Sequence, residues 1–83
     1  MLKIESILEK PHILKILTKK WLIIQYKKSK INILNWVYTW NNLKYKKPKQ
    51  NNILYFRINK QFRALSRLDN GVLIVFNIDN HQN

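Results

Sequence analysis

Apolar residues change their spacing part-way along the chain. Leu17, Trp21, Ile24, Ile31, Leu34 and Tyr38 recur at intervals of three, four and seven. That spacing belongs to one face of a helix and predicts helix over residues 18–40, with Thr18 as its N-cap. Lys19, Lys20, Lys27, Lys28 and Lys30 fall mostly off the stripe and make a solvated basic face. Asn41-Asn42 ends the pattern, and residues 44–52, rich in Lys and Asn around Pro48, read as an exposed basic loop. Residues 1–17 carry a weaker pattern, read as a helical turn from Glu5 to Lys10 and a short strand from His12 to Leu17 after Pro11.

From residue 53 the period is two. Leu54, Phe56 and Ile58 alternate with Tyr55, Arg57 and Asn59. Phe62, Ala64, Ser66 and Leu68 alternate with Arg63, Leu65 and Arg67, and Val72, Ile74, Phe76 and Ile78 with Leu73, Val75, Asn77 and Asp79. Three strands over 53–59, 62–68 and 72–79 follow, joined by short turns into an antiparallel meander. The predicted fold class is α+β, an N-terminal helical region packed on this small meander, with Phe56, Ala64, Ile74 and Phe76 buried against the helix.

Matching apolar faces sets a register, because a slip of one residue turns a core face to water. With Asn59-Lys60-Gln61 as one loop, Ile58 faces Phe62 and Phe56 faces Ala64. With Asp69-Asn70-Gly71 as the other, Gly71 takes the left-handed position of a bulge. Leu68 then faces Val72, Ala64 faces Phe76, and Phe62 faces Ile78. The polar face acquires rows: Tyr55, Leu65 and Val75; then Arg57, Arg63 and Asn77; then Gln61 and Asp79, with His81 on the same side. Two arginines directly opposite each other repel. Side by side they suit a phosphate, and a nearby His moves protons near neutral pH. An anion or phosphate site is the expectation.

Composition narrows the classes. A length of 83 residues makes one domain, spanning 1–83, since domains run to roughly 100–150 residues. The absence of cysteine excludes a disulfide scaffold and a Cys-based zinc site. No stretch approaches the ~18 apolar residues of a membrane span, and Glu5 and Glu9 interrupt any secretory pattern. A soluble intracellular domain is expected. With a single glycine, a Gly-rich phosphate loop is impossible. The formal charge of +12 exceeds the magnitude of about 2–8 that serves solubility in a small domain, so it points to a polyanion or an acidic protein partner. His12 has no other ligand type at metal spacing and reads as structural or exposed. Trp21, Trp36 and Trp40 read as core or partner surface rather than a base-stacking platform.

The segment Tyr55-Phe-Arg-Ile-Asn-Lys-Gln-Phe-Arg63, a hairpin, and then Ile78-Asp-Asn-His81 together resemble toxins of the RelE/ParE superfamily. The nearest likeness is to the HigB branch, whose strands carry R-I-N-x-Q-[aromatic]-R and end in D-Y-H. The match covers about residues 43–82, while residues 1–42 agree in basicity and helical content. Two departures stand out: Asn80 replaces the family's Tyr, and Lys44 and Tyr45 occupy the region where HigB has a further His.

The resemblance implies a type II toxin that cleaves ribosome-bound mRNA and so inhibits translation in the cytoplasm. In such enzymes the RNA 2′-hydroxyl attacks its own 3′ phosphate, with no metal or cofactor. Carried over, Arg63 holds the scissile phosphate, His81 is the general acid/base, and Asp79 matches the terminal Asp. Lys47, Lys49, Arg57, Lys60 and Asn77 are the expected RNA contacts. A small acidic antitoxin encoded adjacently is the implied partner, in a hetero-tetramer or larger assembly. The alternatives are a ParE-type gyrase inhibitor without nuclease activity, and a non-toxic basic RNA-binding module; fold alone does not separate them.

Overall fold

A proline decides how the N-terminal region folds. The structure, a computed structural model, describes residues 4–35, 43–47 and 49–80. Pro11 opens helix α1 (Pro11–Lys19), where its missing N–H costs no hydrogen bond and its fixed φ already suits a helix. The segment before it is strand β1 (Ser6–Glu9), with Ile7 buried and Leu8 exposed, the alternation of a half-covered strand. The expected order of helical turn and then strand is therefore reversed.

The single helix expected from residue 18 onward is also corrected. Trp21 has φ +59°, a left-handed conformation that a bulky residue adopts only at a cost. The chain turns there and restarts as α2 (Ile23–Leu34). Thr18 is no N-cap. It lies inside α1, and its hydroxyl donates to the Leu14 carbonyl at 2.8 Å, the back-bond of a mid-helix threonine. The break also rotates the apolar stripe. Leu22, Tyr26, Ser29 and Ile33 face the core, whereas Trp21, Ile24 and Ile31 face solvent. Residues 36–40 of the expected helix, including Trp36, Tyr38 and Trp40, lie outside the described residues.

The strands form one five-stranded mixed sheet. The expected meander is present as β3 (Ile53–Arg57), β4 (Phe62–Asp69) and β5 (Val72–Asn80), and β2 (Lys44–Tyr45) adds an edge beside β3. The order is β1-β5-β4-β3-β2, with β1 parallel to β5 and the other pairs antiparallel. The expected basic loop thus contains β2 and a single 3-10 turn, Lys49–Asn51.

The first hairpin has the register read from the sequence. Phe56 pairs with Ala64, Arg57 with Arg63, and the Ile58 N–H donates to the Phe62 carbonyl at 3.0 Å. Asn59 builds the turn: its Oδ1 accepts from the N–H groups of Gln61 and Phe62, both at 2.8 Å.

The second hairpin differs. Asn70 (φ +49°) and Gly71 (φ +82°) are both left-handed, so the loop is the two-residue type that Asn-Gly favours. Asp69 pairs with Val72 and Leu68 with Leu73. A bulge then inserts Phe76, since Ser66 pairs with Val75 but Leu65 with Asn77. Ala64 consequently faces Ile78 and Phe62 faces Asn80. Leu73 and Val75 therefore enter the core, while Ile74 and Phe76, expected there, are only half-buried. Gly71 is doubly constrained, because a Cβ there would also stand 3.3 Å from the Glu5 side chain.

Both helices pack on one face of the sheet. Ile13, Leu17, Tyr26 and Ile33 meet Leu54, Phe56, Ala64, Leu73 and Val75 in a single cluster. Ser66 is buried in that face, and its hydroxyl donates to the Leu54 carbonyl at 3.1 Å. Glu9 ties α2 to the edge strand: its Oε2 accepts from the Tyr26 hydroxyl and from Lys30 Nζ, each at 2.9 Å. Burial and then the Glu9 carboxylate raise the Tyr26 phenol above its ordinary pKa, so it stays protonated. No helix among the described residues is long and apolar enough to cross a membrane.

Candidate nucleic-acid interface

The face of the sheet opposite the helices carries the residues that β3, β4 and β5 alternate away from the core. Arg57 and Arg63 are cross-strand partners there, as the motif spacing predicts. The third member of their row is Asp79, paired with Arg63, and not Asn77. The two-residue Asn70-Gly71 turn and the Phe76 bulge cause this together, each shifting β5 by one residue from the expected register. A carboxylate is thereby placed in line with the arginine pair, opposite Arg63, where its charge offsets part of their mutual repulsion. Gln61 lies in the β3–β4 turn as expected, but the place opposite Asp79 expected for it is taken by Arg63.

The adjoining row is Tyr55, Leu65 and Asn77, with Lys44 beyond Tyr55 on β2. Arg63 reaches diagonally over this row, its guanidinium carbon 4.8 Å from the centre of the Tyr55 ring. Stacking of this kind holds the planar group flat while leaving an edge for a phosphate. Asn77 turns inward on its own backbone: its Oδ1 accepts from the Ile78 N–H at 2.9 Å.

The remaining expected contacts separate. Lys60 is exposed at the β3–β4 turn, next to the arginine row. Lys47 is exposed past the other end of β3, because Lys46 already bonds to Ile53. The length of β3, about 13 Å at ~3.3 Å per residue, separates it from Arg57. Lys49 opens the 3-10 turn at that same far end. His81 lies outside the described residues.

Two features of this face were not picked out as site residues. Arg67 has the same strand parity as Arg63, a signal present in the alternation. With Lys10, Ile74 and Phe76 it lines a depression of about 390 Å³. Lys10 had no such signal, since β1 was not expected. The N-terminal chain latches onto the bulge beside this depression: the Lys10 N–H donates to the Val75 carbonyl at 2.9 Å and His12 Nε2 to the Phe76 carbonyl at 3.0 Å. His12 is thus structural and exposed.

Chemically, the face offers guanidinium groups at two levels, aromatic surface between them and one carboxylate. That set suits a phosphate-bearing single strand lying across the sheet. Among the described residues no three His, Asp or Glu side chains are close enough to hold a metal ion. No protein-family model matches this sequence, and no curated protein matches it significantly.

Proposed function

We propose that the protein is a RelE-like toxin of the HigB type, a metal-independent endoribonuclease acting on mRNA in the cytoplasmic ribosome and silenced by a small acidic antitoxin. The observation that carries this reading is the Arg57–Arg63 pair on an open sheet face, within the segment that resembles the family. Net charge of +12 supports a polyanionic target. In this reading Arg63, stacked on Tyr55, holds the scissile phosphate while the 2′-hydroxyl attacks it. The attack closes a 2′,3′-cyclic phosphate and breaks the bond to the 5′-oxygen of the next nucleotide. His81 passes the proton of the attacking hydroxyl to that leaving oxygen, and Asp79 stands beside Arg63 on the neighbouring strand.

The test is growth arrest and ribosome-bound mRNA cleavage by Arg63→Ala and His81→Ala. Loss of one electrostatic donor costs about 10²–10³ in rate, and loss of a proton-transfer group about 10²–10⁴. Both variants are expected to fold and to lose cleavage. A second reading draws on the position of Asp79, whose charge reduces the hold of the arginine pair on phosphate. It favours a ParE-like inhibitor of gyrase. Full toxicity of His81→Ala, with no mRNA cut by either protein, decides for that alternative.

A further inference from the structure

The Phe76 bulge divides the open face of β5 into two ends of different character. Beyond it, Asn77 pairs with Leu65 and Asp79 with Arg63, a polar end. Before it, Ile74 pairs with Arg67, and Ile74, Phe76, Arg67 and Lys10 line the depression of about 390 Å³. A bulge re-aims a side chain, and this one leaves an aromatic ring half-buried on the face that the core does not use. The N-terminal chain holds it there, since the Val75 and Phe76 carbonyls accept from the Lys10 N–H and His12 Nε2. Arg67 stands four residues along β4 from Arg63, about 13 Å at ~3.3 Å per residue. The depression is therefore separate from the Arg57–Arg63 row.

The lining identifies the class of ligand. Its volume lies within the ~300–1,000 Å³ of small-ligand sites, which pair an apolar floor with a few placed polar groups. Here the floor is Ile74 and Phe76, and the polar groups are two exposed cations. Neither Lys10 nor Arg67 forms an ion pair with another described residue. Glu9, the neighbour of Lys10, is taken by Tyr26 and Lys30, and Asp69 is not part of the lining. An aromatic face stacks any nucleobase, and a guanidinium fork with a lysine beside it suits a phosphate. We propose that this depression binds a mononucleotide, its base on Phe76 and its terminal phosphate between Arg67 and Lys10. A terminal phosphate carries about −1.5 to −2 near pH 7, which matches two cations, whereas an internal phosphodiester carries a single charge. The site does not depend on the nuclease reading.

The test is calorimetric titration of the full chain with adenosine 5′-monophosphate. Adenosine removes the phosphate, ribose 5-phosphate removes the base, and adenosine 3′,5′-cyclic monophosphate turns the terminal phosphate into a diester. The monophosphate is expected to bind at least ~10-fold tighter than adenosine or ribose 5-phosphate, and tighter than the cyclic diester. Arg67→Ala is expected to weaken it about 10–100-fold. Phe76→Leu keeps an apolar side chain at the bulge, and so the fold, and is expected to weaken it about 5–50-fold. Arg63→Ala is expected to leave this binding unchanged. Equal affinity for the monophosphate and ribose 5-phosphate, or binding that Arg67→Ala and Phe76→Leu leave intact, overturns the proposal. So does loss of binding in Arg63→Ala but not in Arg67→Ala, which places the nucleotide on the arginine row. A single-stranded hexanucleotide without terminal phosphates that needs Arg67, when the monophosphate does not bind, makes the depression part of a strand path and also overturns it. Ribosome-bound mRNA cleavage, measured separately, decides the nuclease reading whichever way the titration falls.

Discussion

Lysine makes the helix pair basic, and arginine makes the open face of the sheet basic. Lys15, Lys19, Lys27, Lys28 and Lys30 sit on α1 and α2, with Lys20 between the helices. All the arginines of the chain, Arg57, Arg63 and Arg67, belong to the other face, where Asp79 joins them. Lysine is a mobile, strongly hydrated point charge, whereas the guanidinium is a planar fork that fixes a phosphate in one orientation. One surface is therefore built to attract and the other to hold. The apolar groups differ in the same sense: Trp21 stands free in solvent, while Tyr55 lies under Arg63.

The sharpest test of this division exchanges the two cations. Arg63→Lys keeps the charge but removes the fork, and mRNA cleavage is expected to fall about 10–100-fold. Lys28→Arg, the converse change on the helix layer, is expected to leave cleavage and stability unchanged. No loss from either exchange, measured on ribosome-bound message, would mean that only total charge matters.

A smaller effect is expected where the two layers are joined. Tyr26→Phe removes one hydrogen bond to the Glu9 carboxylate, which is expected to lower unfolding free energy by about 1–2 kcal/mol in denaturant titrations. The pH dependence has a definite sign. The folded state raises the Tyr26 pKa above its ordinary value of 10.0, so it binds the proton more tightly than the unfolded chain does. The stabilisation is complete below about pH 10 and declines as pH rises beyond it. Tyr26→Phe is expected to remove that part of the alkaline decline; an identical slope in both proteins would place the coupling elsewhere.

The smallest effect concerns Asp79. Exposed opposite charges typically interact by about 0.2–1 kcal/mol. Asp79→Asn is therefore expected to tighten binding of a short single-stranded RNA by up to about 5-fold. In the proposed function, where Asp79 belongs to the catalytic set, cleavage is expected to fall at the same time. Tighter binding with undiminished cleavage would leave Asp79 as a charge brake only.

Where the sequence was legible, local chemistry and periodicity agreed. In the first hairpin the alternation and the Asn59 turn favour one register, so the Arg57–Arg63 pairing could be read in advance. In the second hairpin both sides of β5 are apolar around residues 72–76, so alternation alone does not choose between them. Asn70-Gly71 held the deciding signal, since this dipeptide favours a two-residue turn. The Phe76 bulge had no local signal, as it is stabilised by β1 and α1 contacts from far away in sequence. That inserted residue, added to the one-residue shift of the tighter turn, exchanged Asn77 for Asp79 beside Arg63 and changed the character of the candidate site. The helix stripe misled for a related reason: a helix-spaced series running through Trp21 spans a break that only the left-handed backbone reveals.

The parallel pairing of β1 with β5 also governs when the core can close. Ser6 and Ile7 stand far in sequence from their partners Val72 and Leu73. Until β1 and β5 pair, Ile7, Ile13 and Leu17 lack the Leu73 and Val75 side chains of their shared core. Closing so long a loop is slow and is rewarded only at the end. The core is therefore sealed late in folding, by contacts between segments far apart in sequence.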